Sequence, residues 1–202
     1  SIASPLPIPE GHLRVVCISD THNEHDSINL PWGHLIVHSG DVLTESGLRH
    51  VKEKKGKLCA SSYGISLFER FADWFGSLPH PHKVFIAGNH DKVLQAMGKE
   101  HITSIINKSS SGTAIYLEQE EARVGDVKIF GSPYGHWGSH NDAFMCKDTD
   151  NLYNDITPNT TIVLTHKPPI LPKSDGLRIS RGQVRAMEKN KTLLSVSGHC
   201  HW

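Results

Sequence analysis

Six short apolar runs punctuate the chain, each closing on glycine or polar residues: Leu13-Arg14-Val15-Val16-Cys17-Ile18, Leu35-Ile36-Val37-His38, Lys83-Val84-Phe85-Ile86-Ala87, Val127-Lys128-Ile129-Phe130, Thr161-Ile162-Val163-Leu164 and Leu193-Leu194-Ser195-Val196. They are rich in β-branched residues and nearly continuous rather than alternating, the pattern of strands buried on both faces. Between them, Ile65, Phe68, Phe71, Ala72, Phe75 and Leu78 recur at three- and four-residue spacing, which predicts a helix over 65–78 stopped by Pro79. Weaker helical patterns cover 91–97 and 180–189. Residues 113–118 and 127–130 flank Gly125-Asp126 as the arms of a hairpin would. Segments 45–62 and 132–158 read as long polar loops, and the Pro-rich residues 1–12 as an extended arm before a single domain over 13–202. Strands and helices mixed without an internal repeat indicate an α/β or α+β layered domain with helices covering sheets.

Composition narrows the function. The 21 Lys+Arg balance the 21 Asp+Glu, so no chain-wide field favours nucleic acid or an anionic membrane. Lys52-Glu53-Lys54-Lys55-Gly56-Lys57 then reads as a solvated loop face, with a phosphate-binding patch as the alternative. No stretch approaches the roughly 20 apolar residues of a membrane span, and the first residues lack the basic start and apolar run of a signal peptide. The chain begins at Ser1 rather than Met, so a removed targeting segment stays open. Cys17, Cys59, Cys146 and Cys200 are widely spaced with no C-x-x-C, which argues against a disulfide framework or a zinc ribbon and for a reducing, cytoplasmic setting. The excess lies in 15 histidines.

Position gives some of these histidines a purpose. Five strand ends carry metal-ligand side chains: Ser19-Asp20-Thr21-His22, Ser39-Gly40-Asp41, Gly88-Asn89-His90-Asp91, Thr165-His166 and Ser197-Gly198-His199-Cys200-His201. Ligands of open α/β sheets bind outside the carboxyl ends of strands, where these turns would converge. Asp20 and His22, like His199 and His201, are two apart and point the same way in an extended segment. Carboxylates and an amide oxygen mixed with imidazoles, without thiolates, suit Mn, Fe, Zn or Co. Asp20, His22, Asp41, Asn89, His166, His199 and His201 are too many for one ion, but fit two ions about 3.5–4 Å apart sharing a carboxylate. Singly, Asp41 also reads as a turn or cap residue, and Asn89 as an Asx turn. His38, in a buried strand pattern, reads as a hydrogen-bonded core residue; His136 and His140, with Trp137 and Asn141, could wall a pocket.

The ordered series Asp20-x-His22, Gly40-Asp41, Gly88-Asn89-His90-Asp91, Thr165-His166 and Gly198-His199-x-His201 resembles the five-block signature of the calcineurin-like metallophosphoesterases. Ser19-Asp20-Thr21-His22, Gly131-Ser132-Pro133-Tyr134 and Thr165-His166-Lys167-Pro168-Pro169 resemble its metallophosphoesterase-domain-containing branch. The resemblance implies a four-layer α/β/β/α sandwich of two mixed sheets flanked by helices. It implies a first metal held by Asp20, His22 and His201, a second by Asn89, His166 and His199, and Asp41 bridging, with Mn expected to support activity. His90 would be catalytic, protonating or stabilising the leaving oxygen, and Asp91 would orient it. Asn89, His90 and His25, three residues past His22, would meet the substrate. Members of the family continue with strands that complete the second sheet, whereas this chain stops at Trp202, so either C-terminal strands are missing or the domain closes in an unusual way.

The activity so implied is dinuclear metal-dependent phosphoester hydrolysis, by in-line attack of a metal-bound hydroxide, with a nucleotide or other small phosphodiester as substrate. Phosphomonoester or protein-phosphatase activity, or a low-turnover scaffold that keeps the fold, are the alternatives. No membrane partner and no extended nucleic-acid surface is expected.

Overall fold

In strand β2 (Leu35–Ser39) every residue is buried, and successive side chains enter different cores. Leu35 and Val37 join Val84, Ile86, Ile129, Ile162 and Leu164 in one cluster, while Ile36 joins Phe68, Phe71 and Phe75 in another. That is the consequence of a strand covered on both faces, and it accounts for the unbroken apolar run. The computed structural model describes residues 7–44, 50–136, 142–147, 151–173 and 176–200.

Chain order begins with β1 (Val15–Ile18) and β2, then β3 (Val51–Lys54), β4 (Lys57–Ala60) and helix α1 (Ser62–Ser77). There follow β5 (His82–Ile86), α2 (Lys92–Met97), α3 (Lys99–Ser110), β6 (Ala114–Tyr116), β7 (Glu120–Val124) and β8 (Val127–Ser132). Short strands β9 (Gly135–His136) and β10 (Met145–Cys146) precede β11 (Ile162–Thr165), β12 (Ile170–Lys173), β13 (Gly176–Ile179), α4 (Arg181–Lys189) and β14 (Leu194–Val196). One sheet has the order β1-β2-β5-β6, all parallel. The other has β14-β11-β8-β7, parallel except for the β7–β8 hairpin. The two pack face to face over the Leu35–Ile129–Leu164 cluster. Helices α1 and α3 cover the outer face of the first sheet; α4 and the 3-10 turn Leu152–Asp155 cover the second through Phe130, Tyr153, Ile156 and Val163. The result is the expected four-layer α/β/β/α sandwich.

Four local expectations change. The helix expected at 65–78 starts three residues earlier, because the Ser61 hydroxyl caps it by accepting the Gly64 amide at 3.1 Å. Residues 114–116 leave the expected hairpin and pair in parallel with β5; the arm opposite β8 is 120–124, closed by Gly125 at φ 58°. The polar segment 45–62 contains the β3–β4 hairpin, and a third helix, Lys99–Ser110, had no clear apolar stripe beyond Ile102 and Ile106.

Phe71 is fully buried and stacks against Phe75 (5.4 Å between ring centres), with Phe85 at 5.5 Å. Phe71→Ala is expected to cost about 3–5 kcal/mol of stability, read as a lowered denaturant midpoint with an unchanged slope.

Candidate metal centre

The carboxyl ends of β1, β2, β5, β11 and β14 meet at one edge of the sandwich, and main-chain bonds stitch their turns together. The Asp20 amide donates to Gly40 O (2.9 Å), the His22 amide to Asp41 O (3.1 Å) and the Gly198 amide to His166 O (3.0 Å). Four side chains of the metal-ligand type sit in left-handed backbone: Asp20 (φ 52°), His22 (44°), Asp41 (55°) and His199 (72°). Such strain persists only where surroundings over-determine it and is concentrated at functional sites. Two glycines make the close approach feasible. A Cβ on Gly88 would collide with the Asp41 carboxylate and amide, and one on Gly198 with the Asp20 carboxylate.

Asp20, His22 and Asp41 each bring a ligand atom within 4.8 Å of the others. His22 Nδ1 lies 3.1 Å from Leu43 O, so it donates there and leaves Nε2, 4.0 Å from Asp41 Oδ2, as an acceptor. On the other side of Asp41, His166 repeats the arrangement: Nδ1 donates to Ser39 O at 2.8 Å, and Nε2 lies 3.2 Å from Asp41 Oδ2 and 2.8 Å from Asn89 Oδ1. His199 Nδ1 is 2.7 Å from that same Asn89 oxygen. Asp41, almost wholly buried, therefore lies between two imidazoles, and its Oδ1 accepts the His90 amide at 2.8 Å.

The titrating groups of the cluster act on one another. Burial alone would raise the Asp41 carboxyl, but the hydrogen bond and charge of His166 hold it below its ordinary value. Burial works to lower His166 as well, and Asp41 more than reverses that. Burial, then the His166 charge, push His199 down to about 4. Burial and the Asp41 charge push Asp91 up to about 7, against three amides that favour its ionised form. The Asp41 carboxylate, the Asn89 amide oxygen and the Nε2 atoms of His22 and His166 are donors of the kind a divalent cation takes.

Asp20, His22, Asp41, Asn89, His90, His166 and His199 are thus brought together; His201 lies outside the described residues, as do Trp137, His140 and Asn141. Two expectations are corrected. Asp91 does not orient the His90 ring: its carboxylate accepts the amides of Gly88 (2.7 Å), Leu43 (2.9 Å) and Val42 (3.2 Å). It clamps the Asp41 turn to the Asn89 turn, while His90 Nδ1 is buried with no hydrogen-bond partner and the ring stands edge-on to His22 at 5.1 Å. His25 is 1% exposed, folded by the 3-10 turn His25–Ser27 against Phe71 and Trp74, so it does not meet substrate. His38 is the core residue expected, with Nε2 3.0 Å from Thr21 Oγ1 and Nδ1 accepting the Gly40 amide at 3.2 Å. The carbonyls of Ser39 and Leu43, which set both imidazole tautomers, carry no signal in side-chain identity. The Ala143 amide donates to Asn89 O (2.8 Å) and Lys92 Nζ to Asp142 O (3.1 Å), which brings segment 142–147 beside the His90 turn.

The chain matches the family model described as calcineurin-like phosphoesterase over residues 13–202. It is 34% identical over 198 residues to a protein of Emericella nidulans named probable rhamnogalacturonate lyase C, covering 94% of this chain and 17% of that one. It is 30% identical over 189 residues to human metallophosphoesterase domain-containing protein 1, covering 81% and 51%. A UPF0046 protein of Caenorhabditis elegans is 27% identical over 218 residues, covering 96% and 71%. The chain spans about half the length of the human relative and under a fifth of the Emericella one.

Burial, then the charge of His166, hold the His38 imidazole near pKa 3, below its ordinary 6.5. A depressed histidine stabilises the fold above the unfolded value, and that contribution is lost as pH falls from 6.5 toward 3. Unfolding should therefore take up about one more proton in wild type than in His38→Gln, measured as a steeper fall of stability between those pH values.

Proposed function

The chain belongs to the calcineurin-like phosphoesterase family, and we propose that this site is a dinuclear centre hydrolysing phosphodiesters, with nucleotides or similar small diesters as substrates. The observation that carries the reading is Asp41, a buried carboxylate whose Oδ2 lies 3.2 Å from His166 Nε2 and 4.0 Å from His22 Nε2, each imidazole already donating its second nitrogen to a carbonyl. In this reading Asp20, His22 and His201 hold one ion, Asn89, His166 and His199 hold the other, and Asp41 is shared. Oxygen and imidazole donors suit Mn, Fe, Zn or Co, with Mn expected to support activity.

Two divalent ions held by these residues would supply a water of near-neutral pKa and would offset charge on phosphate oxygens. The rest is work for the chain. The Asp91 clamp and the His90 amide fix Asp41, so the shared carboxylate does not reorganise as charge moves. The His90 ring, partly exposed beside His22, gives a proton or hydrogen bond to the departing oxygen. Asn89, its oxygen between His166 and His199, holds the phosphate side of the centre. None of the four cysteines is in a disulfide among the described residues, which supports a reducing, cytoplasmic setting.

With added Mn²⁺, the chain is expected to hydrolyse bis(p-nitrophenyl) phosphate faster than p-nitrophenyl phosphate. Turnover of the monoester alone would replace the diesterase reading with a phosphomonoesterase or protein phosphatase. His90→Ala should lower kcat by about 10²–10⁴-fold while metal content measured by mass spectrometry stays at two ions. Equal, negligible rates for both proteins with two ions bound would leave a scaffold.

A further inference from the structure

Four of the 21 basic residues of a chain with no net charge, Lys52, Lys54, Lys55 and Lys57, fall within six positions, and the fold gives them a common direction. In the β3–β4 hairpin Val51 pairs with Ala60 and Glu53 with Leu58, and Val51, Leu58 and Ala60 pack on the core. Alternation then sends Lys52, Lys54 and Lys57 to the outer face, with Glu53 on the opposite one. Lys54 and Lys57 are paired directly across the hairpin, and Lys55 (φ 51°) and Gly56 (φ 75°) form the turn between them. All four lysines are exposed, and none has an ion-pair partner among the described residues. Like charges directly opposite one another destabilise a hairpin, so this strip is built for something other than stability.

Its place in the fold is specific. The hairpin lies between the Asp41 turn and the start of α1, and α2 packs against it, beginning two residues after His90. At its base His50 and Val93 both close on Gly64: a Cβ there would sit 3.1 Å from His50 and 3.0 Å from Val93. The same corner carries Tyr63, 60% exposed, with its ring 4.8 Å from that of His50. Lysines on one hairpin face, with an exposed aromatic ring against His50 just before its first strand, are the combination that takes single-stranded nucleic acid, the cations tracking phosphates and the ring stacking a base. Lys52 and Lys54 are about 6.8 Å apart along the strand, so the row spans successive phosphates rather than one.

We propose that the outer face of this hairpin, with Tyr63 at its base, docks a short single-stranded oligonucleotide and presents its backbone to the metal centre, an inference that rests on the phosphodiesterase reading. An acidic peptide would satisfy the lysines and leave Tyr63 without a role.

The test is fluorescence anisotropy of a labelled oligothymidylate of about twelve nucleotides, with EDTA present, across a salt series. Four engaged lysines give a log–log salt slope of about −2.8, and Lys54→Gln/Lys57→Gln should reduce its magnitude by about 1.4. Tyr63→Ala should weaken binding by about 5- to 150-fold. Arg185→Gln/Lys189→Gln on α4, removing the same charge elsewhere, should have a smaller effect than the hairpin pair. Equal losses from the two pairs, an unchanged slope in the hairpin variant, or competition by polyglutamate as effective as by unlabelled oligonucleotide would each overturn the proposal. Hydrolysis of bis(p-nitrophenyl) phosphate by the wild-type chain with Mn²⁺ separates the two readings: turnover without hairpin-dependent binding removes the docking strip alone, and binding without turnover removes the hydrolase alone.

Discussion

A buried carboxylate is expensive unless its charge is met, and the carboxyl edge of this sandwich is organised around meeting that of Asp41. One oxygen takes the His90 amide; the other faces His166, with His22 further off from that same oxygen. The side chain reaches this position from a left-handed residue after a glycine, with Gly88 leaving room where any side chain would collide. Remove the Asp41 charge and the reason for the converging imidazoles, the strained turns and the Asp91 clamp goes with it.

Asp91 shows how the cost is distributed. Its carboxylate satisfies three amides from two turns, so the loops after β2 and β5 behave as one rigid piece. The same burial, beside Asp41, raises its own affinity for a proton. The Asp41 carboxylate held by this clamp would gain from a bound cation, which ties the stability of the ligand turns to the chemistry they would serve.

Much of the site was legible because a strand end is a local event. Asp20-x-His22, Gly40-Asp41, Gly88-Asn89-His90 and Gly198-His199 each combine a turn-forming residue with ligand chemistry, and short-range patterning detects both. The apolar runs located the strands for the same reason, and the Phe68–Phe71–Phe75 stripe located α1. Less legible were the partners that carry no side-chain signature: the Ser39 and Leu43 carbonyls, and the main-chain amides that claim Asp91. His25, three residues past a ligand-type histidine, read as a substrate contact because spacing says nothing about which way a 3-10 turn faces; the aromatic surface of α1 decided it.

The sequence by itself determined which residues could bind metal and where six of the strands lie, because apolar runs, turn chemistry and ligand type are properties of a few adjacent residues. Tertiary structure decided the rest. It placed Asp41 between two imidazoles contributed from 19 residues before it and 125 after it, gave β8 its neighbour β7 instead of 113–118, turned Asp91 from a partner of His90 into a clamp, and folded a run of lysines into one charged face. Each of these depends on which surfaces lie opposite one another, and that is fixed by packing across the sheets rather than by any stretch of the chain.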